Sequence, residues 1–149
     1  AHAPENTLIA FERGLAAGAD ALEFDVRLTA DGHVVVCHDP TVDRTTDGTG
    51  DVAKLSLAAI RVFAAGARWS PHTEPEAANG GVRSGASPFA HTGIRVPLLT
   101  EVLDAFPDTP FIIELKTVAV AGPATEILAT RGARPRRPGS RPAREIRNR

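Results

Sequence analysis

The sequence predicts an α/β architecture in which helices alternate with short buried strands. Two observations carry this. Stretches with apolar residues at helical spacing are interleaved with β-branched runs bounded by turn residues. The chain, 149 residues with 42% hydrophobic residues, is also long enough for one ordinary core and little more.

The elements follow in order. Pro4-Glu5-Asn6-Thr7 opens a helix predicted over about Thr7–Ala17, with Asn6 as N-cap, Leu8, Phe11 and Leu15 on one face and Gly18 at the C-terminal cap. Ala21–Leu28 alternates apolar and polar residues and reads as a strand. Asp31-Gly32 marks a tight turn into His33–Cys37, a β-branched strand. Folding back symmetrically about that turn would set Asp25 opposite His38. Asp39 to Gly50 is loop-like, and Ser56 caps a short helix over Leu57–Ala65. Residues 66–95 hold many Gly, Pro and small polar residues without a period and read as one long surface loop. Leu99, Val102, Leu103 and Phe106 mark a further helix, stopped by Pro107, and Phe111–Lys116 a third strand. No internal repeat is present.

Composition removes several classes. No run of about 18 apolar residues occurs. A single cysteine, Cys37, forbids an internal disulfide framework. There is no phosphate-binding GxxxxGK[ST] loop and no Cys/His cluster at zinc spacing. The net charge of −1 hides a split, because residues 131–149 carry eight Arg against one acid. That Arg/Pro-rich end cannot bury enough surface to fold alone, and it lacks the aromatic groups that would stack on nucleic-acid bases.

Candidate chemistry lies at the strands. Glu23 and Asp25 are two apart on a strand and share a face, while Leu22, Phe24 and Val26 take the other. Two carboxylates so close repel unless a cation or proton lies between them, and an oxygen-only pair suits a hard ion such as Mg²⁺ or Ca²⁺. The pair alone fits a water-facing strand even better. His38-Asp39 follows the second strand and Glu114-x-Lys116 ends the third. Taken singly, they read as a hydrogen-bonded structural histidine and a surface ion pair. All three strands nevertheless end in ionisable groups, the arrangement from which parallel α/β barrels build their sites.

The ordered set Pro4-Glu5-Asn6-Thr7, Gly18-Ala19-Asp20-x-x-Glu23-Phe24-Asp25-Val26, Thr29-x-Asp31-Gly32, Val35-Val36-x-His38-Asp39, Arg44-Thr45-Thr46, Pro97-x-Leu99-x-Glu101-Val102-Leu103 and Ile113-Glu114-Leu115-Lys116 resembles the glycerophosphodiester phosphodiesterase family. The resemblance implies a partial TIM (β/α)8 barrel, about its first half, over residues 1–117. Residues 118–149 would then be a low-complexity, disordered tail. It also implies metal-dependent hydrolysis of a small-molecule glycerophosphodiester to an alcohol and glycerol 3-phosphate. Glu23, Asp25 and Glu114 match the family's metal ligands for a divalent cation, Mg²⁺ or Ca²⁺. His38 matches one of its two catalytic histidines, and Lys116 the lysine near the phosphate.

The family normally begins with His-Arg-Gly a few residues before Pro-Glu-Asn-Thr, whereas Ala1-His2-Ala3 stand here. His2 is therefore not assigned that role, the first strand and first catalytic histidine are expected to be lacking, and activity is expected to be impaired. His72 and His91 read as solvated. Leu98 stands where the family has a capping Thr or Ser, a loss of about 1 kcal/mol. Two alternatives remain: a metal- and phosphate-binding fragment without turnover, or a non-enzymatic domain whose basic tail binds polyanions. The sequence leaves the compartment open, with the cytoplasm slightly favoured.

Overall fold

A computed structural model describes residues 3–70 and 87–131. Helix α1 (Leu8–Ala16) leads into β1 (Leu22–Leu28), β2 (Val34–Val36), α2 (Leu57–Arg61), α3 (Leu99–Ala105), β3 (Phe111–Leu115) and α4 (Ala121–Thr130), with single 3₁₀ turns at Val52–Lys54 and Val118–Val120. The sheet order is β2-β1-β3. β3 runs parallel to β1, pairing Asp25 with Glu114, whereas β2 runs antiparallel, pairing Val26 with Val36.

The period of two in β1 sets the layers. Leu22, Phe24 and Val26 bury into a core with Phe11 of α1, Leu99 and Val102 of α3, and Val120 and Ala124 at and within α4. Phe24 sits between two rings, 5.5 Å from Phe11 and 5.6 Å from Phe111, tilted and edge-on, the arrangements aromatic pairs prefer. β2 is buried on both faces. Val34 and Val36 join this core, and Val35 joins a second one with Cys37, Val42, Val52, Ile60 and Val96 beneath the loop that follows.

Several expectations hold and several shift. α1 is capped one residue later than expected: Thr7 Oγ1 accepts from Ala10 N at 3.3 Å, while Asn6 takes a left-handed φ of 55°. Gly18, at φ 94°, ends the helix as expected. The β1–β2 connection is a three-residue loop with Thr29 N donating to His33 O at 2.9 Å and Gly32 in the left-handed region at φ 82°. That extra loop residue moves the register by one, so Asp25 faces Cys37 and not His38.

β2 is also not a parallel barrel strand, so the expectation of three strands ending on a common side fails for it. α2 stops at Arg61 because long-range partners claim the backbone beyond it: Ala64 N donates to Asp47 Oδ1 at 2.6 Å and Ala65 N to Ile94 O at 2.9 Å.

Of the predicted loop 66–95, residues 71–86, and His72 with them, lie outside the described residues. Its far end packs, with Phe89 7% exposed and its ring edge-on to Trp69 at 5.0 Å; His91 is exposed, as expected. The low-complexity tail expected from residue 118 is replaced over its first part by α4, which ties to α3 through an Arg131–Asp104 ion pair. Small residues gave α4 little helical signal, and its Pro123 lies in the first turn, where no backbone donor is needed. Residues 132–149 and His2 lie outside the described residues.

The uncapped α3 has its compensation. Glu101 Oε2 accepts from Leu98 N at 2.8 Å, half of a capping box, and the Leu98 side chain packs on the second core. Along its outer edge β3 pairs with no strand among the described residues, and Ile112 and Leu115 are each 44% exposed there.

Candidate active site

Strand period and register assemble the acidic cluster. Glu23 and Asp25 leave β1 on the face opposite Phe24, and the parallel pairing of Asp25 with Glu114 adds the third carboxylate from β3. Glu23, Asp25 and Glu114 each place an oxygen within 4.8 Å of the others. Lys116, two residues beyond Glu114, extends over them, its Nζ 2.8 Å from Asp25 Oδ1 and 2.7 Å from Glu114 Oε1. Burial opposes the ammonium, but the contacts with Asp25 and Glu114 outweigh it and hold Lys116 above the ordinary lysine pKa.

Asp25 is the buried centre, 6% exposed. Its Oδ2 accepts from Asn6 Nδ2 at 3.2 Å, which explains why Asn6 takes a left-handed backbone in place of capping α1. Its Oδ1 is buried and faces the Lys116 ammonium at 2.8 Å. Three carboxylates facing one ammonium leave a formal deficit that one divalent cation would balance, and the all-oxygen donor set suits a hard ion.

A cleft of about 290 Å³ runs from α1 to these carboxylates, with Phe11, Leu22, Glu23, Asp25 and His38 among its walls. His38 is held at both ends. Its carbonyl accepts from Arg27 Nε at 3.0 Å and Nη2 at 2.7 Å, and its Nδ1 lies 2.7 Å from Asp39 Oδ1. Asp39 accepts from Arg44 Nε at 2.6 Å and Nη2 at 3.1 Å, and the other side of that guanidinium grips the Glu5 carboxylate, with Nη1 2.9 Å from Oε2. The Arg44 hydrogen bonds pull the Asp39 carboxyl down to about 2. Beside His38, Cys37 is buried, its Sγ 3.5 Å from Asp39 O, and burial pushes the thiol up to about 11.

Comparison with known proteins decides the family. The family model of the glycerophosphoryl diester phosphodiesterase family matches residues 1–132. The chain belongs to that family. It is 41% identical over 125 residues to a glycerophosphodiester phosphodiesterase of Caldanaerobacter subterraneus subsp. tengcongensis, an alignment covering 83% of this chain and 44% of that protein. A glycerophosphodiester phosphodiesterase crystal structure from Agrobacterium tumefaciens superposes at a TM-score of 0.69 and 33% identity, over 88% of this chain and 49% of the other. An Oleispira antarctica phosphodiesterase in complex with the product sn-glycerol-3-phosphate superposes at 0.68 and 25% identity, over 87% of this chain and 48% of the other. The chain therefore spans about half the length of these relatives, and its α/β fold matches part of a TIM barrel.

Within this family member, Glu23, Asp25, Glu114 and Lys116 come together as one cluster, with His38 in the same cleft as Glu23 and Asp25. Arg27 and Arg44 were not singled out from sequence, and Asn6 only as a helix cap. Asn6 and Arg44 lie inside quoted motifs, but their partners stand 19 and 39 positions away, beyond anything local spacing reveals.

Proposed function

We propose that this chain carries the metal-binding and acid–base side of a glycerophosphodiester phosphodiesterase, which hydrolyses glycerophosphodiesters to an alcohol and glycerol 3-phosphate. The supporting observation is the cluster of Glu23, Asp25 and Glu114, three carboxylates brought together beside the one ammonium of Lys116. Glu23, Asp25 and Glu114 would hold Mg²⁺ or Ca²⁺, which supplies charge neutralisation at the phosphoryl oxygens. Lys116 adds a point charge beside the phosphate. His38 gives a proton to the departing alkoxide as water takes its place on phosphorus, and the proton that water gives up restores the imidazolium.

In this reading turnover by the chain is slow. Among the described residues His38 is the one histidine lining the cleft, and no strand pairs with the outer edge of β3. The open edge also favours a second reading, a binder of divalent cation and phosphate without turnover.

Calorimetry with Mg²⁺ and Ca²⁺ tests the shared part. Saturable binding that Asp25→Asn weakens by about 100-fold or more is expected, and no binding by the unmutated chain would overturn both readings. Glycerophosphocholine then separates them: metal-dependent release of glycerol 3-phosphate that is lost in His38→Ala supports the enzyme, and binding without release the second reading.

A further inference from the structure

The cleft's histidine is wired to a charge chain that the reaction as proposed does not use. His38, Asp39, Arg44 and Glu5 form an unbroken line of contacts from the end of β2 to the segment before α1. Single exposed ion pairs contribute little, but a guanidinium that grips two carboxylates at once is a fixed geometry, with both carboxylates held in the plane of one fork.

The consequence reaches the imidazole. An ionised carboxylate only accepts hydrogen bonds, and Arg44 keeps Asp39 ionised far below neutrality. The 2.7 Å contact therefore requires the proton on His38 Nδ1, which leaves Nε2 as the nitrogen that takes up or delivers a proton at the cleft. Arg27 fixes the backbone of the same residue through its carbonyl, so main chain and ring are secured separately.

We propose that Arg44, braced by Glu5, is a positioning residue that fixes Asp39 and through it the tautomer and direction of the His38 ring. This rests on the reading of His38 as the acid–base group, and it assigns a role to the Arg44 of Arg44-Thr45-Thr46 and to the Glu5 of Pro4-Glu5-Asn6-Thr7.

The test is long-range ¹H–¹⁵N NMR of the histidine rings in the full 149-residue chain near neutral pH, with His38 assigned from the signals missing in His38→Gln. The unmutated chain should show neutral His38 protonated at Nδ1. Arg44→Gln should turn this into a mixture of tautomers, and Arg44→Lys should not restore it, because one ammonium cannot reproduce the two-sided fork. Glu5→Gln should move the signals the same way by a smaller amount, and this variant decides the matter if Arg44→Gln does not fold.

A purely structural Arg44, tying the loop to the N-terminal segment, predicts a lower melting temperature with the Nδ1–H tautomer unchanged. That result would overturn the proposal, as would an unmutated chain protonated at Nε2. Where the chain turns over substrate, Arg44→Gln should lower kcat by about 10- to 100-fold with KM nearly unchanged. Absence of turnover in the unmutated chain would count against the enzymatic reading alone, because the tautomer is read without it.

Discussion

The two sides of the cleft solve opposite electrostatic problems. On the strand side, three carboxylates from β1 and β3 gather beside one lysine, so that negative charge exceeds what its ammonium balances. On the loop side, Glu5, Arg44 and Asp39 alternate in sign and satisfy one another before reaching His38. The strand side is incomplete and is set to take up a cation. The loop side is complete and holds a ring still. Rigid strands suit the first task, since repelling groups must be kept together by something stiffer than themselves. A loop suffices for the second because its charges attract.

The two sides should therefore respond to different perturbations. The largest effect should come from metal. At 100 times its dissociation constant, Mg²⁺ or Ca²⁺ should stabilise the chain by about 2.7 kcal/mol, seen as a rise in thermal midpoint that Glu114→Gln removes and Arg44→Gln leaves in place. An equal loss in both variants would show that the sides are coupled.

Acid should act on the loop side. The folded Asp39 carboxyl sits at about 2, below its ordinary value of about 3.9. Its contribution is therefore full above the ordinary value and disappears as pH falls from about 4 to about 2. After solvent screening this amounts to about 1 kcal/mol. Chemical denaturation across that range should show the loss in the unmutated chain and not in Arg44→Gln.

The smallest effect lies away from both sides. Glu101→Ala removes the acceptor for Leu98 N–H and the partner of Arg61, and should cost about 0.5–1 kcal/mol in urea midpoint without touching metal affinity.

What the sequence revealed divides along the same line. The carboxylate pair was legible because alternation on a strand is rigid arithmetic: Glu23 and Asp25 had to share a face opposite Phe24, whereas Glu114 joined them only through the family resemblance, since strand pairing is invisible to local spacing. The register of β2 was not, since a two-residue and a three-residue loop around Asp31-Gly32 look alike, both with a left-handed glycine, until Thr29 is seen to pair with His33 and leave Ala30 in the loop. That single residue separates Asp25 facing His38 from Asp25 facing Cys37. α4 escaped notice because Ala, Gly, Pro and Thr give almost no amphipathic pattern, and only burial of Val120 and Ala124 against the core shows that the helix is held. The Arg44 fork was the least legible, because Glu5 lies 39 positions before it and only the fold brings that carboxylate to the guanidinium that Asp39 also meets.

The chain's one cysteine stands at the junction of these regions. Cys37 is buried between Asp25, whose carbonyl accepts from its N–H, and Asp39, whose carbonyl lies against its sulfur, and its thiol is held far from ionisation. While the hairpin is closed, an alkylating reagent meets neither an accessible sulfur nor a thiolate. Opening the end of β2 would uncover the sulfur and return the thiol toward its ordinary pKa. Cys37 is thus a built-in reporter next to His38: the readiness with which it is alkylated measures how far the end of β2 opens, with no probe introduced and no residue replaced.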